Sequence, residues 1–401
     1  MQKQSILSSE TFLIFFICFI DVLFLTYGIS TLSISYYEAE IFYNTDQISA
    51  LLAKISTGIF GQNDYALRLP FVICHLISVA LLYKVSKSIL KRKFDRVISV
   101  AMFILLPGVL ASAILVNDAG IVIMLTLLAL YFYQNRQILA FYLLLLALSF
   151  ISGSFLVFFL SLFIFGIFRR DARLAWICAI LFGLCFYLHG FETGGKPRGY
   201  FLDTVSVFAA VFSPFVFFYF VYAIYRIWIK EQKSLLWFVV VTSFCLCIVL
   251  SSRQRLELEN FLPFCVISTP LVVRVFFSSY RVRLPLFRRF YKILATFTII
   301  SLVASFSFAL FNEIFYKFLE NPKKHFAYKY HMAKELAEEL KKIGVDKIYT
   351  DDEKLALRLK FYGIENGKDK LINLDIKEKY ANITIEKFNK PIAKFNYIKE
   401  R

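Results

Sequence analysis

Long apolar runs follow one another along most of this chain, at 11–34, 69–90, 97–116, 119–133, 138–152, 154–168, 174–190, 205–225, 234–250, 261–279 and 293–314. Of 401 residues, 59% are hydrophobic and 47 are Phe, more apolar surface than a water-soluble core can cover. In lipid, each run must satisfy its own backbone hydrogen bonds, so the runs are expected as helices. The expected fold is a polytopic α-helical membrane protein with roughly eleven transmembrane helices. The first run is long enough to span and lacks a small-residue cleavage pattern, so it is expected as a retained helix.

Charge orients the runs. Alternate gaps are basic: Lys84, Lys87, Lys91, Arg92, Lys93 and Arg96 in one, Arg169, Arg170 and Arg173 in the next. Arg226, Lys230 and Lys233 follow, then Arg281, Arg283, Arg288, Arg289 and Lys292. The positive-inside rule makes these gaps cytoplasmic, with the N-terminus inside and, after eleven spans, the C-terminus outside. The net charge of +17 therefore reports topology and contact with anionic membrane lipids, and its distribution argues against nucleic acid. The Phe-, Ile- and Lys-rich composition suits a bacterial inner membrane. Seven cysteines all fall in apolar runs without metal spacing, as small buried residues do.

The remaining gaps, at 35–68, 117–118, 153, 189–204, 251–260 and 315–401, are then extracytoplasmic. There the acids of the membrane part gather: Glu38, Glu40, Asp46, Asp64, Asp118, Glu192, Asp203, Glu257 and Glu259. In the first of these loops Ile48, Leu51, Leu52, Ile55 and Ile59 recur at helical spacing, the pattern of an amphipathic helix lying in the interface or packed on protein. Two parts follow: 1–314, a transmembrane domain with interfacial helices in 35–68, and 315–401, a small extracytoplasmic α/β domain. Within the latter, a helix is expected over 332–343, stopped by Gly344, and a strand over 345–349. A second helix capped by Thr350 or Asp351 ends at Gly363, and strand-like stretches lie near 371–376 and 382–388. Asn382-Ile383-Thr384 is an acceptor sequon of a kind common by chance.

Several outer-side groups bear on chemistry. Glu38 and Glu40 follow the first span, where a carboxylate at the mouth of a bundle suits general-base work, although a solvated helix end is an equal reading. Asn117-Asp118 sits in a short turn between apolar runs; Asp118 could converge with Glu38, or simply cap the next helix. Two carboxylates from separate loops could hold a divalent metal, making Glu38 and Asp118 the metal pair to consider. Arg68, Lys196, Arg198, Arg253 and Arg255 run against the positive-inside bias. Binding a lipid phosphate would explain them, as would snorkelling or pairing with Glu257 and Glu259. The 194–200 loop, rich in glycine, is a flexible segment able to order over a substrate, and His189 reads as an interfacial histidine. Asp21, mid-span in the first run, is costly in lipid and should face the bundle as a structural residue.

Segment 58–70, Gly58-Ile59-Phe60-Gly61-Gln62-Asn63-Asp64-Tyr65-Ala66-Leu67-Arg68-Leu69-Pro70, resembles membrane glycosyltransferases of the GT-C class. The resemblance is to the aminoarabinose-transferase and protein-mannosyltransferase-like group. Its members carry a similar run after two interfacial helices, an acidic motif just after the first span and a second acid between the third and fourth. Glu38 or Glu40, and Asp118, hold those places here, and the stretch 253–263 is similar to the group's basic segment before a Leu-Pro helix start. Tyr37 stands where the group has Asp, and its His-Pro-Pro is absent, with Asp46-Gln47-Ile48 in that region. The resemblance implies a GT-C-like fold and inverting transfer of a sugar from a polyprenyl-phosphate donor to a lipid, glycan or protein acceptor at the outer membrane face. It implies Glu38, Glu40 and Asp118 as catalytic carboxylates, and Arg68, Lys196, Arg198, Arg253 and Arg255 as donor-phosphate contacts. A flippase of a lipid-linked glycan and a non-catalytic lipid-binding homologue are the competing expectations; the former calls for inverted repeats and broken, charged mid-membrane helices.

Overall fold

The computed structural model describes residues 2–190, 199–374 and 380–399. Each apolar run forms helix, but the expectation of about eleven full-length spans is corrected. Among the described residues, five helices are long and apolar enough to cross a membrane: Glu10–Thr31, Asp64–Ile89, Ala172–His189, Leu262–Val282 and Pro285–Leu310. The number rises to seven if each of two bent pairs is one span. Lys93–Ile104 and Pro107–Ile114 meet at 60°, and Phe201–Phe212 and Pro214–Lys230 at 104°. Proline explains both breaks, because Pro107 and Pro214 each begin a helix and disfavour helical geometry in the residue before them.

The other four runs became Ala119–Gln134, Ile138–Ile151, Phe155–Arg169 and Leu235–Ser251, of 16, 14, 15 and 17 residues. At the helical rise these are about 21–26 Å long, short of a hydrocarbon core of about 30 Å. Hydropathy alone counted runs, whereas capping and turn geometry set helix length.

By its contacts the chain forms two compact units. The first comprises 1–22, 71–113 and 117–306. Its core is aromatic: Phe158 and Phe264 stack with ring centroids 6.1 Å apart, and Phe155 and Phe165 are fully or almost fully buried beside them. Phe155–Arg169 and Ala172–His189 form a tight hairpin closed by Arg170 in the left-handed conformation (φ 59°). Gly166 allows that closeness, since a Cβ there would stand 2.9 Å from the Ala175 nitrogen. Asp21 faces the interior as expected and lies 2.7 Å from His75 Nε2, both side chains buried. Near the basic ends of the helices, Arg96 donates to Glu10 at 2.8 and 2.9 Å, and Arg281 pairs with Asp95.

The second unit comprises 23–70, 114–116 and 307–401. The Tyr36–Asn44 helix leads into the amphipathic Ile48–Phe60 helix. The latter buries its small residues, Ser49, Ala50, Ala53, Ser56 and Thr57, and exposes Leu51, Ile55 and Ile59. Large apolar side chains turned outward and small ones inward is the arrangement of a helix in a lipid interface.

In the tail, Ala333–Lys342 and Glu353–Phe361 are helical, and four strands form one sheet. They are β1 (Lys347–Tyr349), β2 (Glu365–Leu374), β3 (Ile383–Lys387) and β4 (Lys390–Ile398), in the order β1-β2-β4-β3. β1 and β2 run parallel across the Glu353–Phe361 helix, and the other pairs are antiparallel. The helix is capped by Asp352, whose carboxylate accepts from the Lys354 and Leu355 amides, rather than by Thr350 or Asp351. β4 was not foreseen. Its hairpin with β3 turns through Phe388 and Asn389, both at positive φ, without the glycine that usually marks such a turn. Part of the strand expected over 371–376 lies outside the described residues.

Candidate functional site

Glu38 is positioned by local chain chemistry. Ser35 and Glu38 form a reciprocal capping box: the Ser35 amide donates to Glu38 Oε2 (2.8 Å), and the Glu38 amide to Ser35 Oγ (3.2 Å). The Val116 amide donates to Oε1 at 3.1 Å, and Arg68 Nη2 reaches Oε1 and Oε2 at 3.4 and 3.3 Å. A carboxylate offers about four lone-pair directions, so these contacts occupy Glu38. It is 2% exposed and Arg68 is fully buried.

Arg68 also donates to the carbonyls of Leu32 (2.9 Å) and Ser33 (3.1 Å), which have run out of helical partners at the end of the first span. Asp64, one turn earlier, lies 4.0 Å from Arg68 Nη1. Asp64 accepts from the Tyr362 hydroxyl (2.7 Å) and pairs with Lys334 (3.3 Å). Burial first, and then the charge of Asp64, hold the Tyr362 hydroxyl protonated far above its ordinary range, so it stays a donor. The same hydroxyl accepts from the Ile34 amide at 2.9 Å.

Arg358, 5% exposed, ties the same strip of chain to the tail. It donates to the Ile34 carbonyl (2.8 Å), the His331 carbonyl (2.7 Å) and Ser33 Oγ (3.3 Å). Residues 32–38 are thus held by two buried arginines. Sequence reasoning found Glu38 and Arg68 but missed Arg358, Tyr362 and His331, for which the sequence carries no distinguishing signal. The Asp64–Arg68 spacing of four within one helix was the readable part.

Glu40 is half-buried on the Tyr36–Asn44 helix. The Tyr36 phenol beside it is raised above its usual range, by desolvation first and then by the charge of Glu40. Tyr37, in the position where a carboxylate was expected, is 55% exposed, and Lys329 lies over its ring at 4.8 Å.

In the other unit, Asp118 precedes the Ala119–Gln134 helix without capping it by its side chain; Asn117 Oδ1 instead accepts from the Ala119 amide (2.9 Å). Glu259, although its side chain reaches solvent, is held above the usual carboxylate range, first by partial desolvation and then by the like charges of Glu257 and Asp118. Three acids from two separate loops are therefore brought within electrostatic reach. Arg253 and Arg255 are exposed in the same 251–260 loop. Lys196 and Arg198 lie outside the described residues.

Among the described residues no group of three or more His, Cys, Asp and Glu comes together in a way that could hold a metal ion. A cation bound through Glu38 would have to displace the Ser35 and Val116 amides or Arg68, so Glu38 as arranged does not fit a metal ligand.

Residues 48–192 match the family model of dolichyl-phosphate-mannose-protein mannosyltransferases. The chain shares its fold with crystal structures of ArnT from Cupriavidus metallidurans. The apo form aligns with a TM-score of 0.54 and 11% identity over 88% of this chain and 85% of that one. The form bound to undecaprenyl phosphate aligns with a TM-score of 0.57 and 9% identity over 97% and 98%. A search of curated protein sequences finds no match. Over residues 48–192 the chain thus resembles the dolichyl-phosphate-mannose-protein mannosyltransferases, and over nearly its full length it has the fold of the ArnT structures.

Proposed function

We propose that this protein transfers a sugar from a polyprenyl-phosphate carrier to a lipid, glycan or protein acceptor, with inversion, at the extracytoplasmic face of a bacterial inner membrane. The N-terminus lies inside and the α/β domain outside. One observation carries the reading: nearly the full chain follows the fold of an enzyme captured with undecaprenyl phosphate.

In the reaction, an acceptor hydroxyl oxygen attacks the anomeric carbon, and the bond from that carbon to the phosphate oxygen breaks. The polyprenyl phosphate leaves with the electron pair, and the acceptor proton passes to a carboxylate. Glu38, saturated by its donors, organises the loop rather than taking that proton. Asp118 or Glu40 is the base. Arg253 and Arg255, with Lys196 and Arg198, stabilise the departing phosphate. Family resemblance makes Arg68 a phosphate ligand, but its guanidinium serves Glu38 and two carbonyls, so it holds the loop after the first span.

The transport reading draws less support. The bent pairs turn at Leu105–Leu106 and at Ser213, with no ionisable side chain to bind a coupling ion. The test is a transfer assay in liposomes with a panel of radiolabelled polyprenyl-phosphate sugars and total membrane lipid as acceptor. Label passing to a new product, and lost in Asp118→Asn or Glu40→Gln, supports the transferase. Donor bound but never consumed with a competent acceptor pool overturns it.

A further inference from the structure

A cleft of about 540 Å³ opens between the Pro214–Lys230 and Thr269–Val282 helices, at the ends where the sequence places its cytoplasmic basic gaps. We propose that it is a binding site for the phosphate headgroup of an anionic membrane lipid, separate from the outer-side acids.

Three cations line the cleft, Arg226, Lys230 and Arg283, and none forms an ion pair among the described residues. The acid next in sequence, Glu231, is taken by Arg274 at 3.0 Å. Arg226 has only a long contact to the Val275 carbonyl, at 3.4 Å. Three like charges in one cleft repel each other, and an anion relieves that repulsion. The guanidinium fork of Arg226 suits two phosphate oxygens. Tyr222, Tyr225 and Ser278 add hydroxyl donors to the wall. Deeper on the same helical stripe, Tyr219 keeps a buried hydroxyl with no hydrogen-bond partner among the described residues.

The remaining wall points to a lipid rather than to free phosphate. Ile229 and Val282 are 56% and 88% exposed, apolar side chains at the rim where acyl chains would run. Basic pockets between helices on the cytoplasmic side are where acidic headgroups collect.

The test uses full-length protein in neutral detergent and native mass spectrometry, with phosphatidylglycerol, phosphatidylcholine and inorganic phosphate as probes. Wild type is expected to retain phosphatidylglycerol over phosphatidylcholine. Arg226→Gln/Arg283→Gln should cut that preference about tenfold or more, the scale of one lost charge-assisted contact. Lys93→Gln/Arg173→Gln, at other basic gaps, should keep it. An equal loss in that control would mean diffuse surface charge and overturn the site. Displacement of the lipid by inorganic phosphate at comparable concentration would overturn the lipid assignment in favour of a phosphate site. Should the cleft variant not fold, wild type alone decides: equal retention of the two lipids sinks the proposal.

Discussion

Glu38 and Arg68 face each other inside the protein, Nη2 3.3 Å from Oε2, with side chains 2% and 0% exposed. The pair is also the anchor of the loop after the first span, because each partner spends its remaining hydrogen bonds on backbone groups of residues 32–35 and 116. Removing one partner leaves a charge in a dry environment, whereas removing both does not.

Arg68→Met should therefore destabilise the protein by about 3–5 kcal/mol, and Glu38→Gln by a similar amount. The double variant should lose less than the sum. Thermal unfolding of the four proteins in one detergent gives the coupling energy, and simple additivity would mean that the two residues do not interact.

Stability and activity should separate at the acids. Asp118→Asn is expected to lower the transfer rate by about 10²–10⁴ while leaving the unfolding temperature near that of wild type, as for loss of a general base. Glu38→Gln should lower both together. Full activity in Asp118→Asn and in Glu40→Gln would remove them as bases and return that role to Glu38.

His331 makes stability depend on pH. It is fully buried; its Nδ1 meets the Tyr316 hydroxyl at 2.8 Å, and Nε2 has no hydrogen-bond partner among the described residues. Burial first, then the charges of Lys387, His325 and Arg358, pull its pKa from 6.5 down to about 2. Above pH 6.5 both folded and unfolded states hold it neutral. Below that, the unfolded chain takes up a proton that the folded one refuses, so this contribution is lost as pH falls from 6.5 toward 2. The slope is at most about 1.4 kcal/mol per pH unit. Unfolding of wild type and His331→Gln between pH 7 and 5 should diverge, with the variant less acid-sensitive; parallel curves would show that His331 titrates normally.

The Ile48–Phe60 helix offers a test of orientation. Ile55 is 51% exposed and Ala53 fully buried. Ile55→Ser should change stability in detergent by less than about 0.5 kcal/mol, and Ala53→Leu should cost about 1–3 kcal/mol by overpacking. The reverse order would turn the helix over.

Much of this was legible beforehand. Apolar runs marked every long helix of the membrane part, and helical spacing at 48–59 marked the amphipathic one; the short Tyr36–Asn44 helix lies in no apolar run. Ser35-Tyr36-Tyr37-Glu38 is a capping-box pattern, so the fate of Glu38 was written locally, although the position also suited a catalytic acid. Less legible was whatever depended on partners far along the chain. Nothing near residue 68 says that Arg68 meets Glu38, and nothing near residue 358 says that Arg358 caps the carbonyl of Ile34.

The sequence by itself determined that this chain lives in a membrane, with helices where its apolar runs lie and a small α/β tail, because burial and backbone satisfaction are local demands. Only the tertiary structure decided how many helices reach full length, that Glu38 is engaged by Arg68 and two backbone amides, and that Arg226, Lys230 and Arg283 line one cleft. Those outcomes depend on where prolines and caps end each helix, and on which distant side chains arrive to take up a charge that lipid or a dry interior cannot solvate.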